Sequence, residues 1–501
     1  TNCLFRSNVA QVTNNGGIPT LKSAGGGGDV YLRNGTFLAF DSQFKDSVAG
    51  FPVEPKVAIE KEEFTGDGGS FLVHGSSEET VFTLFACLFS GCSAYGNGGA
   101  ISISRDSSSE ARAYFLEEKS WNPESHQFNA TLIVEPRPLS LGGGCHGVID
   151  SSVFFKCHGG WQGGGISANG RSVDLLVTNS VIGQCTGGFV HLRDGKGGGI
   201  SVGGGLQSPS PPENRVTVAD SVIDHCLASG NGGGAYVTIR GLLSLYNTSI
   251  QHSAALNLGK SAQDSFGRIE GMGGGIHISA GGIAEIVLGG FVCITNNHAA
   301  ENGGGVSIKS GRLEIAGHLI VVENGFTNSP AIGNGNGGGL YVTTSYHDDG
   351  WPKGAGFRAA QLYDDDGTVV SSPGMVRIAK NTATRWGGGV YVGLTPLLPY
   401  DLFHRDCYAF VSLTGATIAE NHAIQSSLHE TGSPSQVCLE RFSGADPPLA
   451  ANGGRVILLD SSIVGNEQDD IGIYSLDAPP AITNGIQFLH VLYKTLMESS
   501  D

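Results

Sequence analysis

The chain is 501 residues long, carries 46 acidic against 29 basic side chains for a formal charge of -17, and contains 79 glycines. Apolar residues still make up 40% of it, which argues against disorder, and the glycines fall in clusters of three, which argues against collagen. The acidic balance without a basic block argues against a nucleic-acid partner, and no run of about 18 apolar residues exists to span a membrane as a helix.

Along the chain a glycine cluster followed by alternating aliphatics recurs. Loose copies at 27–32 and 68–73 lead into closer ones at 98–103, 163–166, 197–202, 232–237, 273–278, 303–308, 337–342 and 387–392, with a last loose copy at 453–458. Each reads as a turn feeding a short strand of period two. Ile101, Ile166, Ile200, Ile276 and Val306 are among its inward positions. Ser102, Ser167, Ser201, Tyr236, His277, Ser307, Tyr341 and Tyr391 then form an outward polar and aromatic face suited to protein or glycan contact.

A second motif precedes each glycine cluster: a large apolar residue, two others, then Asn, Cys or Ser. The large position runs from Phe5, Phe44, Phe89 and Phe154 to Ile182, Ile223, Ile250, Ile294, Val321, Ile378, Ile418 and Ile463. The polar position holds Asn8, Ser47, Cys92, Cys157, Cys185, Cys226, Ser253, Asn297, Asn324, Asn381, Asn421 and Asn466. In five copies the polar residue lies seven residues before the second glycine, as in Cys92 to Gly99 and Asn381 to Gly388. Chance does not hold a spacing like that.

Three short strands fit the tightest repeat, at 276–278, 284–288 and 292–295, and no helical pattern of useful length separates the copies. Such a unit cannot bury its inward face alone; stacked, it forms parallel sheets. The reading is an all-β, single-stranded parallel β-helix of about twelve coils, right-handed by the general rule for parallel connections. It covers residues 1–476, with insertions at 105–147, 255–272, 343–373, 393–406 and 424–452. In the tail, 477–501, Ile486, Leu489, Tyr493 and Leu496 are spaced for a short capping helix.

Stacking also explains the polar position. Asn in successive coils passes amide hydrogen bonds along a ladder, and Cys92, Cys157, Cys185 and Cys226 act there as small buried hydrophobes that remain free thiols. Cys407 and Cys438, in late insertions, are the better pair for a loop-stapling disulfide, while Cys3, Cys87, Cys145 and Cys293 stay undecided.

Phe5 to Asn8 and Gly98-Gly99-Ala100-Ile101 resemble the repeats of polymorphic outer membrane proteins and related adhesin-like β-helices, and the resemblance extends over residues 3 to about 476. It implies a secreted, surface-exposed β-helix with adhesive roles. The chain departs from that pattern in using Gly at the third cluster position, in placing Cys at four rungs, and in having no barrel after the repeats.

Polysaccharide lyases and hydrolases share this architecture, which makes catalysis a candidate function. Paired carboxylates occur at Asp348-Asp349, Asp364-Asp365-Asp366 and Asp469-Asp470, with Trp351 and Tyr363 near the first two, but no polygalacturonase signature accompanies them. Asp364, Asp365 and Asp366 are a weak candidate for calcium, the one cofactor considered. His158, His298 and His422 each follow a rung residue but do not lie on adjacent coils, so they read as outward turn residues. Asn34, Asn129 and Asn247 head Asn-x-Ser/Thr glycosylation sequences.

The expectation is a non-enzymatic, extracellular or cell-surface structural or adhesive protein, a filament or surface-layer subunit. Its expected partners are copies of itself or neighbouring surface proteins, end to end, and glycans. The alternative is a polysaccharide-cleaving or glycan-binding β-helix.

Overall fold

The computed structural model of the chain describes residues 2–10, 27–33, 35–50, 67–75, 79–105, 120–122, 127–129, 144–170, 172–188, 195–204, 214–239, 241–257, 271–279, 281–309, 311–326, 335–344, 370–371, 375–394, 410–424, 437–441, 455–459, 462–465, 471–475, 486–489 and 492–495. Among these residues every regular element is a strand, and all strand pairs but one are parallel. The chain is a parallel β-helix. One coil is written by Ile276–Ser279, Ile283–Ile286, Phe291–Thr295 and His298–Ala299. The corresponding strands of successive coils form four sheets of 12, 9, 13 and 9 strands, called here the first to fourth sheets. The fourth strand was not anticipated, because a two-residue element has no period to read. The lone antiparallel pair, Ser120–Asn122 with Gln127–Asn129, lies within an insertion.

Register follows the repeat. In the third sheet Phe5, Phe44, Phe89, Phe154, Ile182, Ile223, Ile250, Ile294, Val321, Ile378, Ile418 and Ile463 face one another coil by coil. The four phenyl rings stack at centroid separations of 4.8, 4.6 and 4.8 Å, nearly parallel, before aliphatics take over. With the inward residues of the first and second sheets they make one continuous core from Ala39 to Ile463.

Two corners flank the third sheet, and at both the chain turns on a single left-handed residue. The entering corner uses Asp41, Ala86, Ser151, Asn179, Asp220 and Asn247; the leaving corner uses Asp46, Lys156, Gln184, His225, His252, Asn296, Glu323, Lys380 and Glu420. Asn2 and Ser7 hold the same two places in the first coil, and among the described residues Ser172 is the one other non-glycine residue with positive φ. A left-handed non-glycine residue costs about 1 kcal/mol or more. What holds it is the residue that follows, which is pinned inside the rod by hydrogen bonds to the coils on either side.

At the leaving corner that residue is the rung seen in the sequence. Asn297, Asn324, Asn381 and Asn421 stand in a column, each Nδ2 donating to the carbonyl of the large apolar residue one coil back (Ile250, Ile294, Val321 and Ile378) at 2.9–3.0 Å. Each Oδ1 accepts the backbone N–H of the preceding rung, and from Asn324 onward its Nδ2 as well. The four cysteines use the same site: Cys92, Cys157, Cys185 and Cys226 donate Sγ–H to Phe44, Phe89, Phe154 and Ile182 carbonyls at 3.4–3.8 Å. All four are unbridged and fully buried. Hydrogen bonding to Cys157 and burial push the Cys92 thiol up, and burial does the same at Cys185, so these rungs stay protonated. Asn8, on the first rung, is exposed and instead donates to Asp29 at 2.5 Å. Asn466 lies outside the described residues.

The entering corner carries a second column that sequence reading missed. Ser152, Ser180 and Ser221 each accept the backbone N–H of the preceding member (Cys87, Ser152 and Ser180) at 3.0–3.1 Å, and each donates to a carbonyl two residues back.

The glycine cluster is set by crowding. Gly163 has φ +63°, and a Cβ on Gly164 would stand 2.2 Å from the Gly198 carbonyl oxygen and 2.4 Å from the Thr186 nitrogen. The third position answers to the large apolar residue of its own coil. A Cβ on Gly165 would lie 3.0 Å from Ile182 Cγ2, whereas the coils with Phe44, Phe89 and Phe154 carry Asp29, Ser70 and Ala100 there. From Ile182 to Ile418 a β-branched residue sits beside Gly, and an unbranched phenylalanine leaves room for a side chain.

The tail corrects an expectation. Ile486–Leu489 and Leu492–Thr495 are strands, not a capping helix. They pair with Arg455–Leu459 and Ser462–Gly465, putting Tyr493 opposite Ile463 in the large apolar position. An open parallel edge offers a full row of backbone partners, which a short isolated helix of marginal stability cannot outbid.

Candidate functional site: the covered face of the first sheet

The outward residues of the first sheet stand in the register the sequence implied, from Ser102 through Ser167, Ser201, Tyr236, His277, Ser307 and Tyr341 to Tyr391. They do not form an open surface: Tyr236, His277, Tyr341 and Tyr391 are 3%, 2%, 8% and 3% exposed. Side chains of the turn before each glycine cluster fold back over them. Lys196 Nζ sits 5.3 Å above the Tyr236 ring, and Gln162 Oε1 accepts from Ser201 and from Asn169, which also reaches Ser167. Met272 and Trp386 pack with Tyr341 and Tyr391 in a small apolar cluster outside the main core, and Arg385 lies 3.7 Å over the indole.

The rings are ordered along the axis. Tyr341 and Tyr391 stack at 5.3 Å and 2°, Trp386 and Tyr391 at 6.4 Å and 9°, Tyr236 and His277 at 5.6 Å and 20°. The Tyr236 hydroxyl is 2.8 Å from Ser279 Oγ, which reaches Thr238 at 3.3 Å. Beside these, Ser279, Lys309 and Thr343 make a second buried column. His277 Nδ1 and Ser307 Oγ, opposite one another on adjacent strands, have no hydrogen-bond partner among the described residues. Such atoms cost free energy unless a ligand or solvent meets them.

Burial, with Lys309 and Lys196 nearby, pushes His277 down to about 3. Its ring is neutral in the fold at any ordinary pH, while an unfolded histidine titrates near 6.5. The unfolded state therefore binds the extra proton between about pH 6.5 and 3, and this contribution to stability is lost as pH falls through that window. The full difference is on the order of 5 kcal/mol. His277→Ser, the residue at the same position in the following coil (Ser307) and two coils back (Ser201), is expected to flatten the acid limb of the urea midpoint against pH.

Other sequence candidates fall elsewhere. His158, His298 and His422 pair with Thr186, Gly325 and Thr382, not with one another, so no stacked histidine set arises from them. Asn247 is exposed at an entering corner, where its amide donates to Asp220 and accepts from the Phe291 N–H, both at 3.1 Å. Asn129 ends a described strand, though nothing of its side chain is described, and Asn34 lies outside the described residues. So do Cys407, Asp348, Asp349, Asp364, Asp365, Asp366, Asp469, Asp470, Trp351 and Tyr363, while Cys438 is described only as part of strand Val437–Arg441.

Compared with family models, curated proteins and solved structures, the chain matches none of them.

Proposed function

We propose that this chain is a non-enzymatic structural or adhesive rod of the extracellular space or cell surface, a subunit of a filament or surface assembly built with copies of itself or neighbouring proteins. The observation that carries this reading is the continuity of the inside. One core and two side-chain columns run through successive coils, so each coil braces the next and a stiff scaffold results. Among the described residues the longest gaps between successive strands fall where the first sheet is left and where it is rejoined, away from the two bracing columns. The resemblance to adhesin-like repeats supports the surface location.

The purified chain, imaged by negative stain and followed by analytical ultracentrifugation, is expected to associate along the rod axis with rising concentration. It should release no reducing ends or unsaturated products from a panel of acidic polysaccharides. Turnover of any of them, or a monomer at every concentration, overturns the reading.

A second reading is glycan binding without turnover at the covered face. It is favoured by the stacked tyrosines and the two unpartnered atoms of His277 and Ser307. Retention on a glycan array that His277→Ser abolishes would support it.

A further inference from the structure

Histidines sought after the rung residue do not stack, but histidines immediately before it do. His225 and His252 occupy the left-handed position of the leaving corner in successive coils, at φ +51° and +49°, just ahead of the buried rungs Cys226 and Ser253. Those rungs are tied to each other, the Cys226 N–H donating to Ser253 Oγ at 3.2 Å. The two imidazoles are thereby held one coil spacing apart, with ring centroids at 4.7 Å. Asp224, the last residue of strand Val222–Asp224, brings its carboxylate between them. Its Oδ1 lies 2.8 Å from His225 Nδ1 and 2.9 Å from His252 Nδ1.

We propose that Asp224, His225 and His252 form a binding site for a divalent transition-metal ion of the zinc type on the outside of the rod. Two imidazole nitrogens and one carboxylate oxygen are the donors such ions prefer, and their ligand atoms all lie within 4.8 Å of one another. Bonds of about 2.0–2.1 Å in a tetrahedron set ligand atoms roughly 3.3 Å apart, so the carboxylate oxygen must draw back from each imidazole nitrogen by about half an ångström. The side chains are free to do that, being 55%, 43% and 32% exposed for His225, His252 and Asp224, while the backbone beneath them is fixed. Burial raises the Asp224 carboxyl, but hydrogen bonds from His252 and His225 outweigh it and keep the group ionised. Exposure leaves the fourth coordination position open to water or to a ligand atom from a neighbouring molecule. An ion here would neutralise the carboxylate and clamp two coils from outside, at a corner that the rungs clamp from inside.

The same corner supplies conservative variants. Gln184 and Asn296 hold it in the coils on either side, both at φ +54°, so His225→Gln and His252→Asn place there residues the fold already accepts. Titration of the full chain with zinc sulfate, read by calorimetry and by thermal melting, is expected to show a single site that raises the melting temperature. The double variant is expected to lose both effects, and Asp224→Asn to weaken binding by about tenfold or more. Cobalt(II) in place of zinc is expected to give a spectrum without a thiolate-to-metal band. No binding by the wild-type chain at submillimolar zinc, equal binding by the correctly folded double variant, or a thiolate band that survives in it would each overturn the assignment.

Discussion

Asn324→Ala is expected to cost on the order of 4 kcal/mol, far more than its lost volume would suggest. The amide is used at every atom: Nδ2 donates to the Ile294 and Val322 carbonyls and to Asn381 Oδ1, and Oδ1 accepts both N–H and Nδ2–H of Asn297. Alanine leaves two donors from Asn297 facing an apolar methyl in a column that is 0–1% exposed, and each such group costs about 1–3 kcal/mol. Asn324→Ser should cost about half as much, because Ser253 already serves as a rung and its hydroxyl accepts the Cys226 N–H. Urea midpoints of the two variants against the parent chain check this. Equal losses would mean that the column contributes packing rather than hydrogen bonds.

Gly164→Ala should be worse. Its Cβ would stand within 2.4 Å of backbone atoms of Gly198 in the next coil and of Thr186 at the far end of its own, and backbone cannot step aside as a side-chain tip can. The coils would have to part, breaking the bonds from Gly164 N–H to Gly197 and from Gly165 N–H to Gly199. Overpacking against yielding neighbours costs about 1–3 kcal/mol, and here the cost is expected to exceed about 4 kcal/mol, enough to deplete soluble protein. Gly165→Ala, whose closest side-chain clash is the Ile182 methyl at 3.0 Å, is the milder control. Adding Ile182→Phe should recover much of its loss, since Ala100 already shares a coil with Phe154. Soluble yield and melting temperature of the three variants decide it.

How much of this was legible follows from what each position needs. The Asn and Cys rungs could be read because a buried inward corner admits few side chains and the coil length repeats their spacing. The serine column was hidden because Ser, Cys and Thr alternate there and its hydrogen bonds are made to backbone, which leaves no residue pattern. The outward tyrosines were placed correctly in register and wrongly in water, since the turn side chains that cover them, Lys196, Met272 and Trp386, carry no period of their own. The tail misled because Ile486, Leu489 and Tyr493 satisfy a helical spacing as well as two short strands, and only the open sheet edge distinguishes the two. The Asp224 cluster is hidden in the sequence because its two histidines precede their rungs at left-handed corner positions that carry no residue pattern of their own.

The asparagine column has a sense. The backbone N–H groups of Asn297, Asn324 and Asn381 point to the oxygen of the following rung, and each side-chain amide from Asn297 to Asn421 returns a bond to the coil behind. The amide dipoles therefore align head to tail through these four coils. This stretch has a chemical direction: a coil set into it in the reverse sense would bring like groups against each other.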